Sequence, residues 1–190
     1  MQIPTDELAL RLKLFSLIKE RSFRLGKFTL VSGRESNYYL DLKPTMLHPE
    51  GATLLPELIL RRLEEMEVEF VGGVALGAIP LIVQLTGTAY RKGRHIPAFF
   101  VRKLVKDHGT KRLIEGLPAE ELRGRKVVIL DDVTTTGESV MIAVKAAQEA
   151  GADVRLVLSV VDREEGATEY FRRAGVAFDS LFRASEFLAS

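Results

Sequence analysis

Apolar residues in this chain change their period as they run from the N-terminus, and the changes outline its elements. Leu8, Leu12, Phe15 and Ile18 recur at helical spacing behind Thr5 or Asp6, either of which can cap a helix that ends near Arg21. Two strand-like runs follow, Phe23 to Val31 and Asn37 to Leu42, around the turn Ser32-Gly33-Arg34-Glu35, and they predict a hairpin. Helix and hairpin together read as a small N-terminal cap, about residues 1–45.

From residue 46 onward the pattern becomes strand then helix. Pro49-Glu50 starts a helix through Glu65, Glu69 to Ala75 is a short apolar run that breaks at Gly77, and another helix runs from about Ala78 to Tyr90. Ile96 to Val101 and Val127 to Leu130 read as strands, Glu138 to Ala150 as a helix with Gly151 just past its end, and Val154 to Val161 as a strand. Apolar strands without clean alternation, separated by helices, predict a parallel sheet covered on both faces and joined by right-handed crossovers. The class is α/β. The one long irregular stretch is Lys103 to Arg125; no repeat, linker or low-complexity tract divides the 190 residues, which are expected to form a single domain.

Composition narrows the chemistry. A formal net charge of +1 supplies no global basic field, so an anion site must come from local clustering, and non-specific nucleic-acid binding is not expected. Without cysteine there is no disulfide, thiolate nucleophile or thiolate-held metal. The start Met1-Gln2-Ile3-Pro4-Thr5-Asp6 lacks the basic and apolar stretches of a signal peptide, and no apolar run approaches about 18 residues, so a cytoplasmic location away from membranes is expected.

The segment Val127 to Ser139 carries the most specific chemistry. Ligands of open α/β sheets bind beyond the carboxyl ends of the strands, where Asp131, Asp132, Val133 and the run Thr134-Thr135-Thr136-Gly137-Glu138-Ser139 fall. Gly137 lets the backbone approach an anion, the following helix presents unpaired N–H groups, and the hydroxyls add donors: an array suited to a dianionic phosphate. Adjacent carboxylates on an extended backbone point in opposite directions, so one can face ribose hydroxyls while the other orients groups or water around a metal. The bland alternative is a strand end followed by an ordinary turn and N-cap. The segment lacks the Gly-Lys-Ser/Thr ending of a nucleoside-triphosphate loop, and the chain has no Gly-x-Gly-x-x-Gly fingerprint. As a unit these thirteen residues resemble the phosphoribosyl-pyrophosphate (PRPP) motif of type I phosphoribosyltransferases.

A second cluster leaves the carboxyl end of the Ile96 to Val101 strand. Arg102-Lys103-Leu104-Val105-Lys106-Asp107-His108-Gly109-Thr110-Lys111-Arg112 holds five cations and a histidine in eleven residues. Such a run is commonly a solvated loop. Here it is placed to face the same crevice, where pyrophosphate expelled from PRPP would need Lys, Arg or Mg²⁺. A loop that closed over substrate would also keep water from the ribosyl centre.

From roughly Leu25 to Leu188 the chain is similar to the orotate phosphoribosyltransferase family. The likeness rests on Phe28-Thr29-Leu30-Val31-Ser32-Gly33-Arg34-Glu35-Ser36-Asn37-Tyr38-Tyr39, on Arg102-Lys103-x-x-Lys106-x-His108-Gly109, on the PRPP motif and on Val161-Asp162-Arg163. It implies a type I phosphoribosyltransferase fold: a central parallel sheet flanked by helices on both faces, residues 46–190, under a small N-terminal hood. It implies transfer of the 5-phosphoribosyl group of PRPP to orotate, giving orotidine 5′-monophosphate and pyrophosphate in pyrimidine (UMP) biosynthesis.

The roles that follow from the resemblance are specific. Tyr39 and Leu40 would flank the orotate ring, and Thr135 and Arg163 would contact orotate itself. Asp131 to Ser139 would hold ribose and 5-phosphate, with Mg²⁺ bound mainly through PRPP and water. Arg102, Lys103, Lys106 and His108 would serve the pyrophosphate, Lys103 being donated across a homodimer interface. Gly73, Ala75, Leu76 and Gly77 resemble the loop whose amides receive pyrophosphate. Lys103, Asp131, Asp132 and His108 are the candidate catalytic groups. Many members carry lysine where this chain has Val31 and Leu76, which shifts the expected burden onto backbone amides and the Lys103 loop. A purine phosphoribosyltransferase and a PRPP-sensing regulator are the alternative readings; the hood argues against the first, and the lack of a basic recognition helix against the second.

Overall fold

Asp6 opens the first helix: its carboxylate accepts the amide of Ala9 at 2.9 Å, and α1 runs Glu7–Arg21. The computed structural model describes residues 3–29, 35–102 and 113–189. The buried face of α1 is Leu10, Leu14, Leu17 and Ile18, whereas Leu8 is 62% and Leu12 54% exposed. The stripe expected through Leu8 and Leu12 is therefore corrected. Leucines lie around much of this helix, and packing against the rest of the fold, not periodicity, selects the inward face.

The hairpin forms as expected, β1 (Phe23–Thr29) antiparallel to β2 (Glu35–Leu40), with a bulge between Leu25 and Phe28. Most of its turn, residues 30–34 with Val31, lies outside the described residues. A four-residue helix α2 (Lys43–Met46), unread in the sequence, leads to α3 (Pro49–Arg62). His48 caps α3 by accepting the amide of Glu50 at 3.3 Å, and Pro49 suits a first-turn position whose N–H has no helical partner.

The strand β3 (Phe70–Gly73) and helix α4 (Ile79–Arg91) follow. The predicted strand Ile96 to Val101 shortens to β4 (Phe100–Val101), which pairs antiparallel with β5 (Ile114–Glu115) and touches the main sheet through parallel bridges Val71–Ala98 and Val74–Val101. As an edge segment it follows β3 without a full ladder. The stretch read as irregular, Lys103 to Arg125, contains β5 and a 3-10 turn, Ala119–Leu122, in its described part.

The strand β6 (Lys126–Thr134) is longer than the apolar run suggested and carries both carboxylates within it. Then come α5 (Glu138–Glu149), β7 (Asp153–Asp162), α6 (Ala167–Arg173), β8 (Phe178–Arg183) and α7 (Ala184–Leu188), the last three beyond the reach of the periodicity reading.

The main sheet has the order β3-β6-β7-β8, all parallel. Alternate residues of β6 explain its unbroken apolar run. Val128 and Leu130 join one buried cluster with α1, α3 and α4, while Val127 and Ile129 join another with α5 and α6. The first cluster continues through Phe23, Leu40 and Leu42, so hairpin and sheet share one core. From β3 the chain passes through α4 to the outer edge, then returns to β6 on the other side. That reversal opens a crevice beyond the ends of β3 and β6, the place where open α/β sheets bind ligands.

Candidate active site

The segment expected to cradle phosphate is continuous along the chain. Because β6 continues to Thr134, the loop is shorter than the sequence suggested: Thr135 and Thr136 are half-buried, and Gly137 opens α5. Gly137 has φ +89°, a left-handed conformation, and a Cβ there would meet the Phe171 ring at 2.7 Å. Only glycine suits both conditions. No side chain caps the twelve-residue α5 at Gly137, and Glu138 and Ser139 are exposed at its N-terminal mouth, where a helix presents N–H groups without an i−4 partner.

The two carboxylates diverge as an extended backbone requires. Asp131 accepts the Thr134 hydroxyl at 2.7 Å, which ties the strand end to the loop. Asp132 turns toward the loop after β3, so close that a Cβ on Gly77 would stand 2.5 Å from its Oδ1. Burial pushes the Asp132 carboxyl above the usual aspartate range, partly offset by the Val133 amide and the charge of Lys43. Lys43 itself is held by Asp41, Nζ to Oδ1 2.9 Å, a hydrogen bond that raises its pKa; the fields of Asp41 and Asp132 act the same way. Sequence reasoning passed over Asp41 and Lys43, which bring hood charge to the crevice.

Gly73 is the last residue of β3, buried and paired in register with Leu130, so of the four residues singled out Ala75, Leu76 and Gly77 lie in the loop after the strand. The Ala75–Leu76 peptide is cis, and Leu76 is 78% exposed. Arg102 pairs with Glu115 across the β4–β5 ladder. Lys103, Lys106 and His108 lie outside the described residues.

The corner around Arg163 is assembled from distant segments. At the ends of β6 and β7 the amide of Arg163 donates to the Thr134 carbonyl at 2.9 Å, so this arginine stands beside the phosphate loop. Its side chain is only 6% exposed, and its Nε donates to Glu165 Oε1 at 2.7 Å. The Tyr38 ring lies 4.4 Å from its guanidinium carbon, and the Ser36 hydroxyl 3.4 Å from Nη2. Residues Ser36, Tyr38 and Leu40 of β2 share the inward face, with Leu40 buried in the core. Tyr39 is 44% exposed on the other face, its ring 5.6 Å from that of Phe28. Tyr38, not Tyr39, touches Arg163. The period of two in Asn37 to Leu42 carried that signal.

A parallel sheet covered on both faces, a strand that carries paired acids near its carboxyl end, and a glycine-opened helix set across from a second glycine loop define a type I phosphoribosyltransferase fold. The comparisons narrow the class. An orotate phosphoribosyltransferase of Bradyrhizobium diazoefficiens is 55% identical over 181 residues, 95% of this chain and 97% of that protein. One of Rhodopseudomonas palustris is 52% identical over the same shares. Mycobacterium tuberculosis orotate phosphoribosyltransferase in complex with Fe(III) dicitrate aligns with TM-score 0.80 at 36% identity, over 94% of this chain and 98% of that one. The same enzyme in complex with PRPP aligns at 0.77 and 33%, with the same coverage. No family model matches. The chain belongs to the orotate phosphoribosyltransferase family. An adenine phosphoribosyltransferase from Thermoanaerobacter pseudethanolicus, at TM-score 0.63 and 17% identity, shares the fold alone.

Proposed function

We propose that the chain transfers the 5-phosphoribosyl group of PRPP to orotate by direct displacement at the anomeric carbon. A ring nitrogen of orotate attacks as pyrophosphate leaves, giving orotidine 5′-monophosphate for pyrimidine synthesis in the cytoplasm. One observation supports this most: Arg163, a fork suited to a planar carboxylate, is hydrogen-bonded through its amide to the last strand residue before the phosphate loop, which sets acceptor and donor sites side by side.

In this reading the α5 N-terminus with Thr135, Thr136 and Ser139 holds the 5-phosphate, and of the two diverging carboxylates, Asp131 and Asp132, one faces the ribose hydroxyls while the other orients groups or water around a metal. The amides of Ala75 to Gly77 receive pyrophosphate together with Arg102, Lys103, Lys106 and His108. Lys103 is taken to come from the second subunit of a homodimer. Arg102 would exchange its pairing with Glu115 for the ligand.

Among the described residues no group of three or more His, Asp or Glu side chains could hold a metal ion. Two adjacent acids fit Mg²⁺, which is commonly held by one or two carboxylates together with substrate phosphates and water. Bound that way, Mg²⁺ would neutralise charge on the departing pyrophosphate. Positioning and electrostatic stabilisation would supply most of the acceleration, without a covalent enzyme intermediate.

The test is an acceptor panel: protein, PRPP and Mg²⁺ with orotate, xanthine or adenine, each product resolved by chromatography. Orotidine 5′-monophosphate is expected from orotate alone. Conversion of a purine base but not of orotate overturns the proposal.

A further inference from the structure

The surroundings of Arg163 explain more than its presence. A guanidinium has five N–H donors in one plane and must be fixed both in the tilt of that plane and in rotation within it before a carboxylate can meet two of them at once. Here the two restraints come from different parts of the chain. The guanidinium carbon sits over the Tyr38 ring, 4.4 Å from its centroid, a contact that restrains its tilt. Glu165 Oε1, 2.7 Å from Nε, sets the rotation, helped by the Ser36 hydroxyl 3.4 Å from Nη2.

Glu165 reaches back two residues because the backbone reverses between them. Glu164 has φ +60°, its amide donates to Asp162 at 2.8 Å, and its own carboxylate accepts the Ser185 amide at 2.8 Å. The turn is thus held from both sides. With the Nε edge engaged by Glu165, the edge formed by Nη1 and the second hydrogen of Nη2 is the one that, among the described residues, is left for a bidentate ligand.

We infer that Glu165 and Tyr38 are positioning residues for the acceptor, holding the Nη1–Nη2 edge of Arg163 toward the carboxylate of the base and so making that carboxylate the recognised feature. This rests on the reading of Arg163 as the residue that contacts orotate. Glu165 has a second, opposing influence. Its own negative charge repels an anionic acceptor, so as a charge alone it weakens binding, and as an orienting group it strengthens it. The sign of the change on its removal tells the two apart.

Orotidine 5′-monophosphate and uridine 5′-monophosphate differ by one carboxylate, and their dissociation constants, measured by calorimetry on the intact protein, isolate that group. Arg163→Ala is expected to bring the two constants together. Glu165→Gln is expected to weaken orotidine 5′-monophosphate about tenfold, as one charge-assisted contact loosens, with little change for uridine 5′-monophosphate. Tyr38→Leu should do the same, and Tyr38→Phe, which keeps the ring, should restore most of the preference. Tm is recorded for each variant, so that the preference is compared only in folded protein. If Arg163→Ala leaves the preference intact, the reading of Arg163 fails and this inference with it. If Arg163→Ala abolishes it while Glu165→Gln strengthens both ligands, or shifts both equally, the positioning role alone is overturned.

Discussion

The donor half and the acceptor half of the proposed site are made in opposite ways. The phosphate cradle uses consecutive residues of one strand, loop and helix, Asp131 to Ser139, and its geometry follows from local backbone rules. The corner proposed for the acceptor brings Tyr38 and Ser36 of the hairpin against Arg163 and Glu165; Ser36 and Arg163 are 127 positions apart in the sequence, and no local rule joins them. A phosphate is the same in every PRPP, so a local motif serves. The base is the variable partner, and a corner built from separate segments can change one side while the other is kept.

The contrast is sharpest if the cradle is broken at its glycine. Gly137→Val adds a β-branched side chain at φ +89° and drives it into Phe171. The left-handed conformation costs about 1–2 kcal/mol and the overpacking about 1–3 kcal/mol. Urea denaturation should show a loss of that combined order, and PRPP binding should become undetectable by calorimetry.

Next in size is Arg163→Ala, which should lower kcat/KM for orotate by about a hundredfold or more, the usual loss for one side of a buried charge pair, while the Kd for PRPP measured without acceptor stays near its original value. If PRPP affinity falls equally, the two halves are not separable and the comparison fails.

Gly77→Ala should fall between the halves. Its Cβ would displace Asp132, so kcat is expected to drop about tenfold with KM for orotate little changed, as for a misplaced reacting geometry.

Asp132→Asn tests the electrostatics. Burial raises the folded-state pKa of Asp132 above its unfolded value, so its contribution to stability is fully present below the ordinary aspartate range and is lost as pH rises through the folded value. The carboxylate therefore costs stability at neutral pH. Asp132→Asn should raise Tm at pH 7 while it lowers turnover, and the Tm difference should close as pH approaches 4. The smallest effect is expected far from either half, at Glu169, whose carboxyl is lowered to about 2 by its hydrogen bonds to Arg172 and Arg173 on the surface of α6. Glu169→Gln should leave activity unchanged and Tm within about 2 °C, as for exposed ion pairs generally.

Legibility in the sequence followed the same division. The helix starts at Asp6 and Pro49, the strand through Val127 to Leu130 and the Gly151 terminus were readable because caps, apolar runs and glycines act within a few residues. Reading failed where distant packing decides. Leu8 and Leu12 fit a helical stripe as well as Leu10 and Leu14, and only the elements packed on α1 choose between them. Ile96 to Val101 is apolar enough for a central strand, yet it lies on the sheet edge and mostly lacks a ladder.

By itself the sequence determined an α/β chain with two acids and a glycine-opened helix at a strand end, because those features depend on backbone conformation and neighbours along the chain. Only the tertiary structure decided that Tyr38 rather than Tyr39 meets Arg163, that Glu165 holds its Nε edge, that Gly77 backs onto Asp132, and that Lys43 lends its charge there. Each of those depends on which face of an element turns inward, and that is settled by what packs against it.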